Sequence, residues 1–115
     1  MPLLKLETTV ALPDEKKKAL LASLSKIVAG TIGKPEQYVM VTIAPAAILM
    51  SGKPDEAAFV DIRSIGGLGG DVNRQLALKI GSLLKESLGV PPDRVYLNFT
   101  DVPAGNWGWN GETFG

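Results

Sequence analysis

The chain has 115 residues, 45% of them apolar, enough for one compact domain over residues 1–115 with a modest core. Its twelve basic and twelve acidic residues cancel, so no whole-molecule field draws in nucleic acid or an anionic membrane. Cysteine and histidine are both absent, which excludes disulfides, thiolate chemistry, sulfur-ligated metals, the Ser/His/Asp and Cys/His relays and the usual neutral-pH base.

A proton-transfer enzyme built from this sequence must therefore use a carboxylate, a lysine or the N-terminal amine. No basic segment leads into an apolar run at the N-terminus, and no stretch approaches the roughly 20 apolar residues of a membrane span. A soluble cytoplasmic protein is expected, with secretion by a route that needs no signal peptide left open.

In chain order, residues 3–9 set Leu4 and Leu6 against Lys5 and Glu7, the period of a half-buried strand. From Asp14 to about Thr31, Leu20, Leu21, Leu24, Ile27 and Val28 recur at helical spacing, and Gly33 ends the helix. Tyr38 to Ile43 alternates as a second strand, stopped by Pro45.

The second half repeats this plan. Ala57 to Ser64 reads as a strand, with Ala58, Val60 and Ile62 opposite Phe59, Asp61 and Arg63. A glycine-rich turn, Ile65 to Gly70, leads into a helix from about Asp71 to Leu88, with Leu76, Ile80, Leu83, Leu84 and Leu88 on one stripe and Gly89 as its stop. Val95 to Thr100 is the answering strand. The fold class is thus α/β (α+β): two pseudo-symmetric β-α-β units forming a four-stranded sheet with two helices on one face. The other sheet face is left for a partner subunit to cover. The tail from Pro103 reads as a loop, but Trp107, Trp109 and Phe114 make it too apolar to hang free.

Several residues suggest chemistry, each beside a plainer reading. Pro2 becomes an N-terminal secondary amine if Met1 is removed, and with no histidine present that amine is a natural general base; it is equally a residue that happens to follow Met1. Lys34 is a cation that meets a substrate carboxylate, or a solvated turn lysine. The segment from Ser64 to Gly70 offers backbone N–H groups to an anion, or is a flexible connection; it matches neither a Walker loop nor G-x-G-x-x-G. Tyr96 and Asn98 share a strand face that lines a pocket or forms an interface.

These pieces, in this order, resemble the macrophage migration inhibitory factor branch of the tautomerase superfamily. The resemblance is carried by Pro2, Gly33-Lys34-Pro35-Glu36-Gln37-Tyr38, Ser64-Ile65-Gly66, Pro92-Asp93-Arg94-Val95-Tyr96-Leu97-Asn98, Gly108-Trp109-Asn110 and Thr113-Phe114. It implies a homotrimer with active sites between subunits and Pro2 as base. The implied reaction is keto-enol isomerisation of phenylpyruvate-like α-keto acids, and of dopachrome analogues, without metal or organic cofactor. It also implies that Lys34, Ser64 and the Ile65 N–H hold the substrate's polar end, that Tyr38, Trp109 and Phe114 wall the pocket, and that Tyr96 and Asn98 come from the adjacent subunit.

Arg63 and Trp107 depart from the animal cytokine, which has histidine and a small aliphatic residue there, so pocket width and charge differ. The Cys-x-x-Cys of that cytokine is replaced by Ala57-Ala58-Phe59-Val60, so its thiol-disulfide activity does not carry over. The rival readings are a signalling or receptor-binding protein with a vestigial pocket, and a purely structural trimer. Asp61 and Glu112 are the alternative bases.

Overall fold

Gly33 and Gly89 show why the chain folds as a repeat. Both take a left-handed conformation, with φ of 81° and 71°, and their N–H groups close the preceding helices onto Ala29 O and Lys85 O. A side chain makes that conformation unfavourable, so glycine is the natural stop. Each glycine is followed by an X-Pro pair, Lys34-Pro35 and Val90-Pro91, which forces the backbone out of the helical region. A single 3₁₀ turn then delivers the chain into a strand.

The computed structural model describes all residues from Met1 to Gly115. Strand β1 (Leu3–Thr8), helix α1 (Asp14–Ile32) and strand β2 (Met40–Pro45) form the first unit; β3 (Ala58–Ser64), α2 (Gly70–Leu88) and β4 (Val95–Asp101) form the second. Within each unit the two strands pair in parallel, and β1 pairs antiparallel with β3 to join the units, giving the order β2-β1-β3-β4. This is the expected architecture, with both helices on one face.

The core lies between helices and sheet. Leu20, Leu24, Val28 and Ile32 of α1 and Leu76, Ile80, Leu84 and Leu88 of α2 are buried at matching four-residue intervals. They meet Leu4, Leu6, Val60, Ile62 and Val95 from the strands. On the opposite face, cross-strand registers align Met40, Leu3, Arg63 and Thr100 in one row, Thr42, Lys5, Asp61 and Asn98 in the next, and Ala44, Glu7, Phe59 and Tyr96 in the third. Met40 and Tyr96 are 62% and 66% exposed there, large apolar groups with nothing in the chain to cover them.

Two sequence expectations are corrected, and the end of β2 is made more exact. Tyr38 does not open β2; it lies in the 3₁₀ turn Glu36–Tyr38, whose C-cap N–H, from Val39, donates to Glu36 O. β2 ends at Pro45, as expected, with Pro45 itself paired to Thr8 as the last residue, and the Ala46 N–H beyond it donates to Thr8 O. An edge strand tolerates that missing donor. The tail is not a plain loop: β5 (Gly108–Trp109) and β6 (Glu112–Thr113) form a tight hairpin about Asn110 and Gly111, whose φ values of 53° and 78° suit a primed two-residue turn.

Candidate active site

The start of β1 is a junction. The Met40 N–H donates to Pro2 O at 3.0 Å, which brings β2 against the N-terminus. The tail hairpin closes from another side, tied by the Phe114 N–H to Trp107 O at 3.1 Å. Trp109 and Phe114 stack with ring centroids 6.2 Å apart and planes 12° from parallel. Together they enclose a cavity of about 420 Å³ whose walls include Met1, Pro2, Tyr38, Met40, Trp107, Trp109 and Phe114. Such a size and apolar lining suit a small organic ligand. A larger hollow beside Arg94, of about 490 Å³, has no hydrophobic lining residue, whereas the N-terminal cavity joins an apolar wall to the chain terminus.

The electrostatics of that amine follow from its surroundings. In the full chain it belongs to Met1, and partial burial first, then the positive charge of Lys34, hold its pKa below the ordinary value of about 8. Pro2 itself is fully buried in the full chain. Lys34 sits on the segment that leaves α1, its N–H donating to Ala29 O. A β-carbon on Gly67 would fall 3.5 Å from Lys34 Cε and 2.6 Å from Ile32 Cγ2. Only glycine therefore lets the turn after β3 close so tightly on the end of α1 and on the lysine stem.

Ser64 is buried, and its hydroxyl donates to Gly66 O at 2.7 Å, so it shapes this turn from within. Ile65 follows it, half-buried. Arg63 lies on the open face, where Nε and Nη2 donate to Asp61 Oδ2 at 3.3 and 3.1 Å. Arg63 and Trp107 also line a shallower cavity of about 290 Å³ that shares Leu3, Trp107 and Gly108 with the N-terminal one. The two departures from the animal cytokine thus stand side by side at the cavity's edge.

Tyr96 and Asn98 are not brought to this cavity within one chain. Asn98 shares a row with Lys5, two strands over and three residues along from Pro2, or about 14 Å at the usual strand spacing and rise. Leu3, Gln37, Val39 and Met40 line the cavity without having been singled out as site residues. The Leu3–Met40 contact comes from parallel pairing across a long crossover, a register with no local sequence signal. Asp61 and Glu112 are absent from the cavity wall.

The family model described as macrophage migration inhibitory factor matches residues 1–115. The chain belongs to that family. A macrophage migration inhibitory factor homolog from Trichuris trichiura is 40% identical over 116 residues, covering 99% of this chain and all of that protein. Macrophage migration inhibitory factor from Meriones unguiculatus is 37% identical, covering 99% of each chain. The crystal structure of a homologue from Prochlorococcus marinus superposes with a TM-score of 0.93 at 36% identity, covering 98% of this chain and 99% of that one. Macrophage migration inhibitory factors form a branch of the tautomerase superfamily, so at the level of reaction class the relationship is to isomerases. No helix is long and apolar enough to cross a membrane.

Proposed function

We propose that the protein is a keto-enol tautomerase of phenylpyruvate-like α-keto acids, with the amine of Pro2 as general base after removal of Met1. The observation that carries this reading is the place of Pro2 on the wall of an aromatic-lined cavity, beside the chain terminus, in a chain without histidine; the Met1 amine at that place has its pKa lowered. A base is useful when it is neutral near the working pH, and burial together with Lys34 pushes the amine in that direction.

In the proposed step the Pro2 nitrogen takes a proton from the carbon next to the ketone. The C–H electron pair becomes the new C=C bond and negative charge moves to the keto oxygen. Lys34 and the Ile65 N–H hold the substrate's polar end and offset that charge, with Ser64 shaping their turn. The protonated amine then delivers its proton to oxygen, giving the enol, and the reverse sequence regenerates the ketone. Substrate and product are isomers, so no co-reactant enters. Tyr38, Trp109 and Phe114 flank the ring, and Arg63 and Trp107 set the width and charge of the cavity's rim. The test is an assay of keto and enol phenylpyruvate with intact and N-terminally blocked protein; activity that needs no free terminus refutes the assignment.

The working unit in this reading is a homotrimer of a single tautomerase domain, with Tyr96 and Asn98 supplied to each site by a neighbour. The support is twofold: the exposed Met40 and Tyr96 on an uncovered sheet face, and the separation of Tyr96 and Asn98 from Pro2 within one chain. Light scattering is expected to give a mass near three times the 12.2 kDa chain. A stable monomer with full activity would refute the shared site.

A further inference from the structure

We propose that Asp101 is a positioning residue for the substrate-holding turn, an assignment that rests on the tautomerase reading above. Asp101 is the last residue of β4 and the register partner of Ser64, the last residue of β3. Its Oδ1 accepts the Gly66 N–H at 2.9 Å, a bond that ties positions 35 residues apart. The Val102 N–H donates to Ser64 O at 2.9 Å, so the end of β4 grips both sides of Ile65. The Ile65 N–H itself donates to no backbone or side-chain acceptor of the chain, which leaves it for a ligand.

The turn needs such an anchor. Gly66 and Gly67 are both left-handed, with φ of 70° and 80°, and glycine pairs have many alternative conformations of similar energy. Gly67 is confined by its contact with Ile32 and the Lys34 stem. Gly66 has open space around its α-carbon, and its one cross-strand restraint is the Asp101 carboxylate. Releasing that bond frees the peptide between Ile65 and Gly66 to rotate, which leaves the Ile65 N–H held on one side only, through the Val102 N–H to Ser64 O. A carboxylate at this place also has an electrostatic cost, since an unbound one would repel an anionic substrate. Its acceptor oxygen, rather than its charge, is therefore what the site uses.

This separates two variants. Asp101→Ala removes acceptor and charge together, and is expected to lower kcat/KM for phenylpyruvate by roughly tenfold, with part of the loss in kcat, because the Ile65 N–H both holds the substrate and offsets the enolate charge. Asp101→Asn keeps an acceptor oxygen without the charge and is expected to recover most of that loss. Amide hydrogen exchange at Gly66 should be fast in the alanine variant and protected again in the asparagine one, with assembly mass and melting temperature confirming that both fold. The acid limb of the pH profile should stay where it is in both.

An asparagine variant as impaired as the alanine one, or an acid limb that moves equally in both, would show that Asp101 acts by its charge and overturn the assignment. An active wild type whose alanine variant keeps its kcat/KM removes the Asp101 role alone. A wild type that fails to isomerise phenylpyruvate removes the Pro2 reading and, with it, the role of Asp101 toward substrate.

Discussion

Acetylating the terminal amine of the Met1-processed protein is expected to abolish isomerisation of phenylpyruvate. General-base catalysis contributes about 10²–10⁴-fold, and the whole of that contribution is assigned here to one lone pair. Acetylation turns the Pro2 nitrogen into an amide, whose lone pair is delocalised and no longer basic. No histidine stands by to replace it, Asp61 is paired with Arg63, and neither Asp61 nor Glu112 lines the cavity. Retained Met1 would have the same consequence, because Pro2 would then be an internal residue with no free amine. Intact-protein mass spectrometry on material from its native cell should accordingly show Met1 missing. Pro2→Ala leaves a primary amine after processing and is expected to keep a weak, shifted activity, which separates the need for an amine from the need for the proline ring. Acetylated protein that remains folded and keeps its original rate and pH profile would transfer the role to a carboxylate.

The fold was legible because its signals are local and occur twice. Each helix carries a four-residue stripe of large apolar side chains and a glycine stop, and each is followed by an X-Pro pair and an alternating strand. The errors fell where tertiary pairing overrides local pattern. Tyr38 alternates with the strand residues that follow it, yet Pro35 and the bond from Val39 to Glu36 wind it into a turn. The tail hairpin depends on Asn110-Gly111, a strong turn signal, but its strands are only two residues each and carry no period to read.

The candidate site divides in the same way. Pro2, Tyr38, Trp107, Trp109 and Phe114 converge on one cavity in the structure, although in sequence they lie at opposite ends of the chain; the family resemblance, not periodicity, grouped them. Arg63 borders that cavity through the shallower chamber beside it. Tyr96 and Asn98 share a face, as alternation implied, but Asn98 lies about 14 Å from Pro2 within one chain and Tyr96 further along the strand, so their assignment to the site stands or falls with a neighbouring subunit. Asp101 had no sequence signal at all. Its importance lies in a single bond to Gly66 across the ends of two parallel strands, which only the register reveals.

Lys34→Ala is expected to act twice, and the two effects can be told apart. The first is on the base. In the full chain the Lys34 charge is the second cause, after burial, of the lowered pKa of the Met1 ammonium, and the same charge is expected to disfavour an ammonium on Pro2 next to it. Protonated amine cannot accept the substrate proton, so activity falls as pH drops through that pKa, and the acid limb of kcat/KM reports it for the free enzyme. Removing the lysine removes one lowering influence, the amine becomes easier to protonate, and the limb moves to higher pH. The second effect is on the substrate. A hydrogen bond to a charged group contributes about 1.5–3 kcal/mol, so phenylpyruvate should lose roughly ten- to a hundredfold in kcat/KM at a pH where the amine is neutral in both proteins. The methyl ester presents no carboxylate and should lose much less. Measuring both substrates well above the limb isolates binding, and measuring the ester across the limb isolates the base. Equal losses for acid and ester, with an unmoved limb, would mean that Lys34 only supports the turn it packs against at Gly67.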